Sequence, residues 1–197
     1  ALDMVTDRQW STESSENLIR RLSGAAPIAG YRALAEAGDA RAQWLMGTAG
    51  NVRKDLAIDA KEALTWLTRS AEQGNARGQA NLGLAYADGE IVPQDYEKAA
   101  QWSRRAADQG NAAGQADLGY LYSNGLGVAQ NFAEAARWYR LAAEQGEAQG
   151  QANLAGLYIN GRGVPKDYAQ AARWTRLAAD QGNPLGQRQL GQLYFQI

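Results

Sequence analysis

Histidine and cysteine are absent from this chain, so the side chains that could do chemistry are chiefly carboxylates, amides and indoles. That absence excludes a Ser-His-Asp triad, a thiol nucleophile and ordinary zinc sites. No metal or cofactor is expected. Hydrolysis by carboxylates alone stays chemically open, but the acids read otherwise. Asp95 and Asp167 stand at expected helix caps, and Glu72, Asp108, Glu144 and Asp180 share one position that recurs every 36 residues. The expectation is a protein that is not an enzyme, with a carboxylate-dependent hydrolase as a remote alternative.

Two further patterns mimic sites. Gly125-Leu126-Gly127 and Gly161-Arg162-Gly163 look like glycines that cradle phosphate. No strand is expected before them, the third glycine is missing, and they recur in register, so loop geometry is the reading. Trp66, Trp102, Trp138 and Trp174 look like an aromatic ladder for a ligand, yet their constant spacing of 36 residues argues for packing. Trp10 and Trp44 fall outside that register. Trp44 stands where later units carry Ala80, Ala116, Ala152 and Arg188, which makes it either cap packing or an exposed partner anchor.

The same step organises the whole chain. Gly74, Gly110, Gly146 and Gly182 keep it, as do Gln43, Gln79, Gln115, Gln151 and Gln187. A fixed period of this size marks a repeat array, in which each unit contacts its neighbours. The chain of 197 residues is 45% hydrophobic and has a net charge of −1 from 20 basic and 21 acidic residues. That balance gives no reason to expect nucleic acid or an anionic membrane surface. No apolar run is long enough to insert across a bilayer, and a monomer is expected. The start at Ala1-Leu2-Asp3 fits a mature exported chain whose signal was removed at a small residue, and fits a trimmed chain equally.

Within one unit, Gln79, Leu82, Gly83 and Tyr86 share a helical stripe over residues 76–88. Gly83 costs that helix about 1 kcal/mol, which a close helix crossing explains. Gly89 ends the helix, and Pro93 blocks its continuation. A second helix follows from Tyr96 to Gln109, capped by Asp95. Asp59/Glu62, Asn131/Glu134 and Asp167/Gln170 form capping boxes, whereas Asp95 is followed by Lys98, predicting a weaker cap. Each unit is thus helix, loop, helix, and the fold class is all-α. Residues 1–38 read as an N-terminal helical cap with a degenerate repeat, including helices at Glu13 to Leu22 and Pro27 to Ala37. Residues 39–197 hold about four and a half 36-residue units, ending in one helix from Pro184 to Gln196. The first unit carries Gly50 in place of the tyrosine and Arg53-Lys54-Asp55-Leu56 in place of the glycine loop, so a reshaped loop is expected there.

The residues Gly150-Gln151-Ala152-Asn153-Leu154, Tyr158, Gly161-Arg162-Gly163-Val164-Pro165-Lys166-Asp167-Tyr168, Ala171-Ala172, Trp174 and Ala178-Ala179-Asp180-Gln181-Gly182 form a pattern similar to the Sel1-like repeat, a relative of the tetratricopeptide repeat. The resemblance implies a right-handed α/α superhelix and a role in protein–protein contact. Bacterial proteins of this kind include exported ones that act in the envelope. Some resemble immunity proteins against phospholipase toxins of type VI secretion. The resemblance therefore implies a periplasmic immunity or inhibitor protein that holds a toxin in its concave face. The alternative it leaves open is an envelope scaffold or regulatory adaptor in polysaccharide export or signalling.

In such arrays the first helix of each pair lines the partner face. Positions there vary between units while scaffold positions repeat. Arg77, Leu84, Tyr120 and Ile159 are candidates of this kind, together with Trp44. Asn81, Asp117, Asn153 and Gln189 form a more regular row. Amides can serve both the C=O and the N–H of an extended peptide, so this row is a candidate backbone clamp. Asn124 and Asn160 are read as helix ends.

Overall fold

In a computed structural model, residues 25–52 and 58–194 are described, and they form ten helices and no strand. These are α1 (Ala25–Glu36), α2 (Ala40–Val52), α3 (Ala60–Glu72), α4 (Ala76–Asp88), α5 (Tyr96–Asp108), α6 (Ala112–Asn124), α7 (Phe132–Glu144), α8 (Ala148–Asn160), α9 (Tyr168–Asp180) and α10 (Pro184–Tyr194). The helix pairs expected from the 36-residue period are therefore present, in an all-α repeat fold. The expected helix at Glu13 to Leu22, the segment Arg53 to Leu56, Trp10 and residues 195–197 lie outside the described residues.

Local chemistry sets the boundaries. Asp59, Asp95, Asn131 and Asp167 accept backbone N–H bonds from Glu62, Lys98, Glu134 and Gln170 at 2.7–3.1 Å, and so cap α3, α5, α7 and α9. Glu62 turns toward Arg32 and the Trp66 indole rather than back to its cap. The weaker cap expected at Asp95 is offset, because Lys98 adds an ion pair to it at 3.2 Å. That ammonium and the Lys98 N–H hold the Asp95 carboxyl below its usual pKa, the backbone bond contributing most. At the short turns between units, glycine takes a left-handed conformation, as at Gly74 (φ +86°) and Gly110 (φ +82°). The next N–H, from Asn75 or Asn111, then reaches back to Ser70 or Ala106 at 3.1 Å.

The chain divides into two compact units, Ala1–Leu82 and Gly83–Ile197. In the first, Tyr31, Ala35, Trp44, Leu45, Met46, Trp66 and Leu67 form one core. In the second, Leu118 and Trp138 pack with Ala107, while Tyr139, Leu154, Leu157 and Trp174 form a neighbouring cluster. The indoles of Trp66, Trp138 and Trp174 are buried, as their constant place in the repeat predicts. Trp102 departs from them. It is half-buried, with the Arg105 guanidinium 4.5 Å above its ring.

The stripe glycines mark close helix crossings. A Cβ at Gly83 would lie 2.7 Å from Ser103 Oγ, and one at Gly119 2.7 Å from the Tyr139 ring. The recurring glutamines are internal braces. Gln43, Gln115 and Gln151 are buried, and each side chain donates to a carbonyl of the preceding helix (Ala35, Ala107 and Ala143) at 2.9–3.4 Å. Each also accepts an amide bond at 2.6–2.8 Å, from Gln73, Gln145 and Gln181 respectively. Buried amides therefore tie consecutive helix pairs together with both of their polar atoms used.

Candidate functional site

The candidate partner residues divide between the two units. In Ala1–Leu82, Trp44 is only 1% exposed and sits in the core, so its reading as an exposed anchor is corrected. Its large ring fills volume that alanine leaves to neighbours in later repeats. Arg77 lies over that ring at 4.9 Å and is half-buried, which lowers its pKa. Asn81 donates a long 3.5 Å bond to Thr48 Oγ1.

In Gly83–Ile197, three of the predicted residues come together. Leu84 on α4 and Asp117 and Tyr120 on α6 line one cavity of about 290 Å³. Leu84 and Tyr120 are 45% and 50% exposed, so large apolar surface rims the opening. The remaining walls come from Ala87 and Asp88 at the end of α4, Gln94 in the following loop, Tyr96 and Ser103 on α5, and Leu121. Gly89 turns the chain out of α4 with φ +73°. Gln94 then ties the loop back by donating to the Ala87 carbonyl at 2.8 Å. These local devices hold Asp88 and Asp117 at the same cavity.

The electrostatics are acidic. Asp117 has its pKa pushed up to about 7, first by burial and then by the Glu147 and Asp88 carboxylates. Asp88 is raised as well, by burial and by Glu90. Neither carboxylate has an ion-pair partner among the described residues, and no Lys or Arg lines the cavity. Ser103 is 1% exposed, and its Oγ has no hydrogen-bond partner among the described residues. Neither Ser103 nor Asp88 is among the candidates that the sequence singles out. The available signal was a register contrast, since Ser103 stands where the next unit has Tyr139.

The other predicted residues do not join this cavity. Asn153 Oδ1 accepts from Gln149 at 3.2 Å, and its side chain lies beside the hydroxyl of buried Tyr139. Ile159 is half-buried on α8. Gln189 is 7% exposed, which places it in the interior rather than on an open face. The row Asn81, Asp117, Asn153 and Gln189 is thus not a uniform clamp, because part of its hydrogen-bonding capacity is used internally. Asn124 and Asn160 do end α6 and α8, each donating to a carbonyl one turn back at 2.8–2.9 Å. The glycine loops are accounted for by packing. A Cβ at Gly127 would lie 2.0 Å from the Tyr96 carbonyl oxygen.

Among the described residues, no cluster of three or more acids is placed to hold a metal ion, and no helix is long and apolar enough to cross a membrane.

Comparison with known proteins agrees with this architecture. The Sel1 repeat family model matches four times in tandem, at residues 40–75, 76–111, 112–147 and 148–183. A protective antigen present in uropathogenic Escherichia coli strains, displaying an SLR fold, is 40% identical with a TM-score of 0.74. That match covers 85% of this chain and 36% of the antigen, so this chain spans about a third of that protein's length. A Sel1 repeat protein from Oxalobacter formigenes is 29% identical with a TM-score of 0.75, covering 96% of this chain and 79% of that one. Cysteine rich protein B of Helicobacter pylori shares the fold at 21% identity and a TM-score of 0.50, over 74% of this chain and 98% of that one. No curated protein matches at a significant level. Sel1-repeat proteins mediate protein–protein interaction, and the family is generally a non-catalytic scaffold. With four in-register matches spanning residues 40–183, the chain belongs to the Sel1 repeat family.

Proposed function

We propose that this chain is a non-enzymatic recognition protein whose partner docks on the first-helix residues of Gly83–Ile197, and that its specific role is to neutralise a secreted antibacterial phospholipase-type toxin in the periplasm. The observation that carries the recognition reading is the cavity rimmed by exposed Leu84 and Tyr120. Scaffold positions repeat from unit to unit, while these rim positions change: Leu84, Tyr120, Gly156 and Gln192 occupy one register. Large apolar side chains left exposed beside a cleft are the usual anchors of an interface. The toxin reading draws on the family resemblance to immunity proteins.

The test begins with the neighbouring gene. An adjacent lipase-type toxin, held by the purified chain in a stable complex and made harmless when the chain is exported to the periplasm, supports the reading. Tyr120→Ala with Leu84→Asp should weaken that complex at least tenfold without loss of helicity. Capture of several envelope proteins and no toxin would overturn the immunity role in favour of a scaffold. An unchanged complex in the double variant would remove this face as the docking surface.

A further inference from the structure

One register of the repeat explains why the cavity exists. Tyr139 is buried, its ring lies against Gly119, and its hydroxyl lies beside Ser123 and Asn153. One repeat earlier the corresponding residues are Ser103, Gly83, Ala87 and Asp117, and these line the cavity of about 290 Å³. A space that a tyrosine fills in one repeat is left open in the other, with a carboxylate where the amide stood. That volume far exceeds the roughly 10–15 Å³ needed by one water and approaches the roughly 300 Å³ at which small-ligand pockets begin.

The contents select the occupant. Asp88 and Asp117 supply negative charge with no ion-pair partner among the described residues, and Ser103 Oγ is buried without a hydrogen-bond partner there. Tyr120 presents a half-exposed ring that carries no cation among the described residues, although the tryptophans of the second helices each lie under an arginine. We infer that this cavity is an anchor pocket for an arginine side chain of the protein partner. It rests on the recognition reading above only in that a protein supplies the side chain. A guanidinium has five donors in a plane. It can bond two carboxylates and a hydroxyl while its face stacks on an aromatic ring, which an ammonium with three donors cannot match. Apolar walls from Leu84, Ala87 and Leu121 suit the aliphatic stem. Binding favours the Asp117 carboxylate over its acid, so a proton leaves as the guanidinium enters and affinity rises from pH 6 to pH 8. The charged and titratable groups around that site are Asp88 from α4, Glu90 acting on Asp88, Glu147 before α8, Tyr96 on α5, Tyr120 on α6 and Tyr139 on α7.

The experiment is NMR titration of the full chain with the end-capped tripeptide Gly-Arg-Gly and with its neutral citrulline counterpart. The arginine peptide should shift the Asp88, Asp117 and Tyr120 side-chain signals in a saturable way, more tightly at pH 8 than at pH 6, and the citrulline peptide should not. Asp117→Asn, which copies the amide of the next repeat, and Ser103→Tyr, which copies its ring, should each reduce affinity at least tenfold with the helical spectrum retained. Equal shifts by both peptides, no saturable shift, or undiminished affinity in both variants would overturn the arginine pocket. If the pocket ignores arginine while Tyr120→Ala with Leu84→Asp still releases the partner, protein recognition stands and only the arginine is lost. If neither holds, both readings fall.

Discussion

The junction around Ser103 and the junction around Tyr139 are one framework filled in two ways. Both have a stripe glycine, a looped-out Gly at the end of the first helix, and a capped second helix. Around Tyr139 the space is filled, and the polar hydroxyl lies beside the Ser123 and Asn153 side chains. Around Ser103 it is open, its hydroxyl is unbonded among the described residues, and an acid with a raised pKa faces it. A repeat can therefore keep its fold through scaffold positions while a single small residue turns packing space into a site. The fold does not need Asp117 to be charged, since an amide stands in that register in the units on either side.

The largest effect should come from emptying the filled junction. Tyr139→Ser should cost ~3–5 kcal/mol in equilibrium unfolding, as truncation of a buried aromatic does. A loss under about 1 kcal/mol would mean the two junctions do not differ in packing as described. The second effect is electrostatic. The folded state keeps Asp117 protonated up to about pH 7, whereas the unfolded chain releases that proton near pH 3.9. Between these values the folded state binds more protons, so stability is lost as pH rises through 7. Asp117→Asn should match the parent at pH 4 and exceed it at pH 8 by ~1–4 kcal/mol. A parent and variant that differ equally at both pH values would contradict this. Third, Asn153→Ala removes the amide beside the Tyr139 hydroxyl and should cost about 1 kcal/mol. The same substitution in a Tyr139→Phe background should cost less, which a double-mutant cycle measures. Last, Ser103→Tyr should change stability by no more than ~1 kcal/mol, because the ring enters existing space. A larger loss in thermal or denaturant unfolding would show that the cavity cannot take the side chain that its neighbour holds.

The helices were legible because their signals are local. Asp, Asn and Gly at fixed offsets set the starts and ends, and the observed ranges of α4 and α6 follow them. The packing of Trp66, Trp138 and Trp174 was legible from the period. Trp44 was not, because two readings were compatible with its position and only the neighbouring helices decide between them. The glutamine period was visible, but the partners Gln73, Gln145 and Gln181 lie thirty residues on, and sequence spacing alone does not pair them. Leu84 and Tyr120 were picked out by their variation, whereas Asp117 was picked out by its place in a row read as a set of similar polar groups. What separates its members is burial and nearby charge, set by Asp88 and Glu147 across three helices. Ser103 was hidden for a related reason, since a cavity belongs to the residues that fail to fill it.

Backbone hydrogen exchange of the chain, alone and in complex with the partner it captures, tests the central claim most directly. Docking on the first-helix residues around the Ser103 cavity predicts slowed exchange at the end of α4 and along α6, centred on Asp88, Asp117 and Tyr120. Protection confined to α7 and α9, away from that cavity, or an unchanged α6, would contradict it.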